Sequence, residues 1–164
     1  MAGAVLFAAL FLWLVPGLLP EPAATSMGEQ LTYALRWELL PGATLLLGIA
    51  LIARRRFFDE RIIEGGPAPQ APGEPLPALE IDLRYLRNTL EQVALAFVGH
   101  MALATLLNGD SLRVLGALAI LFVIGRVTFR IGYAISPVAR AFGFAATFYP
   151  TIGVYLYCCW KLVR

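Results

Sequence analysis

The 164-residue chain is 59% hydrophobic and only 15% charged, where an ordinary soluble domain carries about 25% charged residues. Its charges gather between long apolar runs, the pattern of one domain that crosses a membrane several times. A net charge of +2 without a basic, aromatic-interleaved patch excludes a nucleic-acid partner, and two cysteines, adjacent at 158 and 159, make neither a disulfide framework nor a metal site.

Five apolar segments follow in chain order, at 2–19, 31–53, 81–107, 112–135 and 138–163. A helix needs about 20 residues to cross roughly 30 Å of hydrocarbon. All but the first reach that length. The first has no basic residue at its start and is interrupted by Pro16 and Gly17. It reads either as a signal peptide or as an uncleaved helix. The Pro20 and Glu21 that follow, in place of a small-x-small site, favour the helix. Between the second and third segments, "EGGPAPQAPGEPLPALE" is too rich in Pro and Gly for a regular element and predicts a tether. The later connections are short, so segments three, four and five are expected to be antiparallel neighbours.

Arginine placement orients the chain. Arg54, Arg55, Arg56 and Arg61 close the second segment, Arg84 and Arg87 open the third, Arg126 and Arg130 lie late in the fourth, and Arg140 opens the fifth. All fall on one side, which the positive-inside rule makes cytoplasmic. The amino terminus is then cytoplasmic and the carboxyl terminus external.

Arg84, Arg87, Asn88 and Glu91 are spaced i, i+3, i+4, i+7 and share one helix face. Arg126, Arg130 and Tyr133 repeat that spacing on the fourth segment. An intramembrane charge costs a few kcal/mol and normally faces protein or a wet cavity. Two readings stay open for this stripe. Its arginines snorkel to lipid phosphates and Glu91 pairs with Arg84 or Arg87 as structural glue. Alternatively, guanidinium groups, a carboxylate, an amide and a phenol line a pocket for a small zwitterion with more negative than positive groups.

These residues also carry a resemblance. "RYLRNTLEQ" resembles the Arg-x-x-Arg-Asn-x-x-Glu signature of the MAPEG family (membrane-associated proteins in eicosanoid and glutathione metabolism). "GRVTFRIGY" is similar to the family's Arg-x-x-x-x-x-Gly-Tyr segment, "ARRRF" to the basic end of its first core helix, and "SPVARAFGF" to a turn whose arginine contacts the glutathione thiol. The likeness covers 31–164 in order. "ARAFGFAATFYP" further resembles the mattrin-like branch, with an extra helix ahead of the usual four, and fits a bacterial member.

The resemblance implies an all-α, multi-pass bundle in a plasma or inner membrane. Residues 1–30 would form an extra N-terminal transmembrane helix and loop. Residues 31–164 would form a four-helix core with a Pro/Gly-rich cytoplasmic loop at 57–80. It implies a homotrimer among membrane lipids, with glutathione as cofactor between subunits. Arg84, Arg87 and Arg126 would take its carboxylates, Glu91 its ammonium, Asn88 and Tyr133 further polar groups, and Arg140 its thiolate. Arg55 would reach in from a neighbour. The implied activity is that of a glutathione transferase or peroxidase acting on lipophilic substrates. Phe129, Phe144 and Leu86 stand where the family usually has polar groups, which keeps open a non-catalytic regulator or small-ligand binder on the same scaffold. A channel is disfavoured, because one polar cluster at one depth makes no path.

His100 falls off the stripe and is expected to be a core histidine bonded to a neighbouring helix. Gly116, Gly125 and Gly132 are expected to permit close helix packing. Cys158 and Cys159 read as apolar filler, and Trp13, Trp37 and Trp160 as interfacial residues.

Overall fold

A computed structural model describes residues 2–58 and 78–164. Among them are five α-helices: α1 (Ala2–Leu14), α2 (Met27–Phe58), α3 (Ala78–Ala104), α4 (Arg113–Ile135) and α5 (Pro137–Leu162). The tether expected at 64–80 lies almost wholly outside the described residues, as does Arg61. The molecule is an all-α, multi-pass membrane bundle in which α2 to α5 form the four-helix core and α1 is the extra helix.

Pro16 and Gly17 end α1, and the chain tightens into a 3-10 turn over Val15–Leu18. Ala4 and Ala8, one turn apart and buried, bring α1 close to the core, and Phe7 meets Phe142 of α5 at 5.8 Å between ring centroids. A reciprocal cap opens α2. The Glu29 carboxylate accepts from the Ser26 N–H at 2.9 Å, and the Ser26 hydroxyl accepts from the Glu29 N–H at 3.4 Å. Gln30 then donates to Asn108 Oδ1 at 2.9 Å, tying this end of α2 to the turn between α3 and α4. That turn passes through Gly109 at φ +52°, a left-handed conformation that costs glycine little.

The α4–α5 hairpin is the tightest part of the bundle. Ser136 caps α5 by accepting from the Ala139 N–H at 3.2 Å, with Pro137 in the first turn, where a missing N–H is tolerated. A Cβ at Gly125 would stand 2.4 Å from Thr147 Cγ2, one at Gly132 would stand 2.3 Å from the Arg140 nitrogen, and one at Gly143 would stand 2.2 Å from the Phe129 nitrogen. Three missing side chains let the two backbones touch. Gly116 likewise makes room for Trp37 and Leu19, as its packing role requires. Cys158 belongs to the apolar core with Leu103, Leu112 and Leu115, while Cys159 is exposed.

Helix α3 departs from the other core helices in composition. By length and apolarity, α2, α4 and α5 qualify as membrane spans, and α3 does not. At 27 residues it is long enough. Its deficit is polarity, and that polarity builds the site.

Candidate functional site

Helix α3 is polar on two faces. The outer face carries the stripe read from the sequence. Arg84 Nε donates to Glu80 at 2.7 Å and Arg87 Nε lies 3.5 Å from Glu91, each pair one turn apart. The Arg84, Arg87 and Glu91 side chains keep 50%, 86% and 58% of their surface exposed. These three side chains face away from their own bundle.

The inner face is a second stripe, at Asp82, Tyr85, Thr89, Gln92 and His100, all buried. Asp82 is fully buried and receives two guanidinium groups. Arg130 of α4 donates to its Oδ1 at 2.5 Å, and Arg55 of α2 donates to its Oδ2. One carboxylate thus ties three helices together at the basic end. A turn higher, Tyr85 donates to the Thr44 carbonyl of α2 at 3.3 Å.

Asn88 joins the two faces. Its Oδ1 accepts from Arg126 Nη1 at 2.7 Å, and Arg126 Nη2 donates to the Thr147 hydroxyl at 2.7 Å and the Gly143 carbonyl at 3.3 Å. Arg126 is fully buried, with its guanidinium 4.6 Å above the Phe129 ring. Gly125 and Gly143 explain how it fits, since the close α4–α5 approach brings the Gly143 carbonyl and Thr147 within its reach. Every polar partner of Arg126 is neutral among the described residues, and its Nε has none. It is a buried cation without a counter-ion there.

Tyr133 and Arg140 form a further pair, the guanidinium 4.9 Å over the phenol ring. Gly132 lets Arg140 approach α4 closely. Phe129 packs edge-on to Tyr133 at 5.4 Å, and Phe144 stacks on Phe148 at 5.1 Å. Both phenylalanines are therefore used for packing.

The sequence-derived residues thus fall into four groups within one copy of the chain: Asn88 with Arg126, Tyr133 with Arg140, Arg55 with Asp82, and Arg84, Arg87 and Glu91 on the outer face. Sequence reasoning missed Asp82, Thr147 and Gly143. Asp82 had a signal, because 82, 85, 89 and 92 follow helical periodicity as well as 84, 87, 88 and 91 do. Nor is the polarity confined to one depth. His100 Nδ1 lies 2.5 Å from Glu38 of α2, far toward the other end of the helix, so this histidine does bond a neighbouring helix. Among the described residues, Arg55, Arg84, Arg87 and Arg130 meet the carboxylates Glu80, Asp82 and Glu91, while Arg126 bonds neutral acceptors and Arg140 packs on Tyr133. The arrangement suits an anionic ligand that also carries an ammonium group.

A model of the MAPEG family matches residues 35–160. Transmembrane protein 79 of Bos taurus is 27% identical over 136 residues, covering 83% of this chain and 33% of that protein. The Mus musculus protein of the same name is 26% identical over 133 residues, covering 81% and 32%. The chain spans about a third of the length of these curated relatives. No solved structure matches.

Proposed function

The chain belongs to the MAPEG family, and on that premise we propose that it binds glutathione between copies of itself in a homotrimer, at the basic end of the bundle. The outer face of α3 carries the proposal: three ionic side chains there point away from their own subunit. Charged groups within a membrane bundle call for a protein partner or a wet cavity. A neighbouring copy would supply the cover, and a ligand would complete the charge balance.

The residues fit the group. Arg84 and Arg87 present forks that match carboxylates, and Glu91 offers an acceptor to an ammonium group. Arg126 holds Asn88 from behind and adds positive field. Bound glutathione supplies a thiol whose anion is a nucleophile. Arg140, packed on Tyr133, places a cation that favours that anion.

Calorimetry with glutathione tests the binding. Glu91→Gln and Arg84→Ala should each weaken it by about one to two decades, the value of a charge-assisted contact. Unchanged affinity in both would leave the stripe as structural glue. Chemical cross-linking in detergent should stop at three copies, and a monomer that retains ligand would rule out the shared site.

A second reading is a regulator that binds the tripeptide, or a lipophilic small ligand, without catalysis. It is favoured by Phe129, whose ring lies under Arg126 where a hydrogen-bonding side chain is usual. Thiolate ultraviolet absorbance of bound glutathione at neutral pH, lost in Arg140→Ala, would support the transferase or peroxidase. Binding without that absorbance would support the regulator.

A further inference from the structure

A cavity of about 500 Å³ opens at the start of α2, at the other end of that helix from Arg54, Arg55 and Arg56. The chain entering the helix lines it with Ser26 and two alanines, and α2 lines it with Glu29, Thr32, Tyr33 and Arg36. Positions 29, 32, 33 and 36 share one helix face. Helix α2 has 32 residues and is about 48 Å long, whereas about 20 residues cross the hydrocarbon. Counted back from Arg54, that crossing ends near Ala34. Glu29 therefore stands at headgroup level. Arg36 stands at the edge of the hydrocarbon, with a side chain that leans back toward the helix start. Tyr33 and Trp37, packed edge-on at 6.3 Å between ring centroids, are aromatic residues of the kind that mark this level.

Two opposite charges line this cavity without meeting. Seven residues, about 10 Å of helix, separate Glu29 from Arg36, and no ion pair joins Arg36 to a carboxylate among the described residues. Glu29 is used on one oxygen only. Its Oε2 accepts from the Thr25 N–H and hydroxyl at 2.8 and 3.0 Å and from the Ser26 N–H and hydroxyl at 2.9 and 3.1 Å, while Oε1 accepts from none of the described residues. The Thr32 hydroxyl is already donated to the Gly28 carbonyl at 2.7 Å. Other charges at this end are engaged elsewhere. Arg113 holds Glu21 at 2.9 Å and Asp110 at 3.4 Å, and Lys161 and Arg164 lie over Trp160.

We propose that this cavity binds the headgroup of an ethanolamine phospholipid, with Arg36 on the phosphate and Glu29 Oε1 on the ammonium. Charge decides the class, because one guanidinium and one carboxylate match a ligand that is itself neutral overall and carries both signs. Order along the membrane normal decides the orientation. In such a lipid the phosphate lies next to the glycerol and the ammonium lies further out, as Arg36 and Glu29 do. The ethanolamine arm spans the gap between them, which the lean of the Arg36 side chain narrows. Oε1 is a hydrogen-bond acceptor, so it selects an ammonium with N–H groups over a choline, which has none. Below Arg36 the same face continues into Leu39 and Leu46, 74% and 66% exposed, apolar surface on which the acyl chains can lie. The site is remote from the outer face of α3 and stands whether or not glutathione binds there.

Native mass spectrometry of the full chain in detergent tests this, with phosphatidylethanolamine, phosphatidylcholine and phosphatidylglycerol of identical acyl chains in competition. The unmodified protein should retain phosphatidylethanolamine about tenfold more tightly than either rival, the value of one charge-assisted contact. Arg36→Ala should weaken it by about tenfold. Glu29→Gln, which keeps an acceptor for the helix cap, should bring phosphatidylethanolamine down to the level of phosphatidylcholine. Both residues are exposed, so the fold should survive either change. Equal retention of the three lipids by the unmodified protein, or a preference that persists in both variants, would overturn the proposal. Free phosphoethanolamine should bind far more weakly, having no chains to lay along Leu39 and Leu46. Binding as tight as that of the lipid would make the ligand a soluble zwitterion and overturn the lipid assignment.

Discussion

The two faces of α3 use the same kinds of side chain to opposite ends. On the inner face, Asp82, Tyr85 and Gln92 are buried, and Asp82 shares its charge between Arg55 and Arg130 on two other helices. On the outer face, Arg84 and Arg87 pair, among the described residues, with Glu80 and Glu91, one turn away on their own helix. Inner polarity joins helices, and outer polarity stays available to something outside the subunit. On α3, then, the polar groups that bond other helices hold the bundle together, while those paired along their own helix do not.

Mutations can break that contrast, and the largest effect belongs to the inner face. Asp82→Ala leaves two arginines without their carboxylate and should cost about 3–5 kcal/mol, as removal of one partner of a buried pair does. Denaturant unfolding in detergent would measure it, and a loss below 1 kcal/mol would place Asp82 with the outer residues. Next comes the seam behind Arg126. Gly143→Ala drives a methyl to 2.2 Å from the Phe129 nitrogen, and overpacking of this kind costs about 1–3 kcal/mol. Thr147→Val removes the nearer of the two acceptors of Arg126 Nη2 and should cost a similar amount, about 1–3 kcal/mol, for a buried N–H left unpaired. Smallest is Arg87→Ala on the outer face. It should change unfolding free energy by less than about 0.5 kcal/mol, as at other exposed positions, while glutathione affinity falls. If stability and affinity dropped together, the outer stripe would be part of the fold.

The same contrast explains how much was legible beforehand. The membrane helices, the short connection before α5 and the packing glycines of α4 could be read because period, proline and glycine act locally. The outer stripe was legible because its four polar residues follow one another within two turns of an apolar segment. The inner stripe was harder. Tyr85 and Thr89 count as ambivalent residues in any apolar tally, and Asp82 stands among apolar neighbours at the helix start. Its meaning depends on Arg55 and Arg130, 27 and 48 residues away. Gly143 and Thr147 were passed over for a related reason, since their role is to receive a side chain from another helix. His100 was correctly placed off the outer stripe, but its carboxylate partner, 62 residues earlier, leaves no mark near it in the sequence.

The short turn at Ser136 has a consequence for biogenesis. Arg126 lies near the middle of α4, where a charged residue adds about 2.5–3.5 kcal/mol to the cost of insertion on the translocon scale. Its acceptors Gly143 and Thr147 are only 17 and 21 residues further along the chain. Partitioning α4 alone into lipid would leave a bare guanidinium in hydrocarbon. With α5 following directly, the two helices can enter the bilayer as a preformed hairpin whose arginine is already solvated by its own partner helix. Lengthening that turn with a flexible linker should therefore delay membrane integration of α4 in a cell-free translation assay, even though the finished protein would make the same contacts.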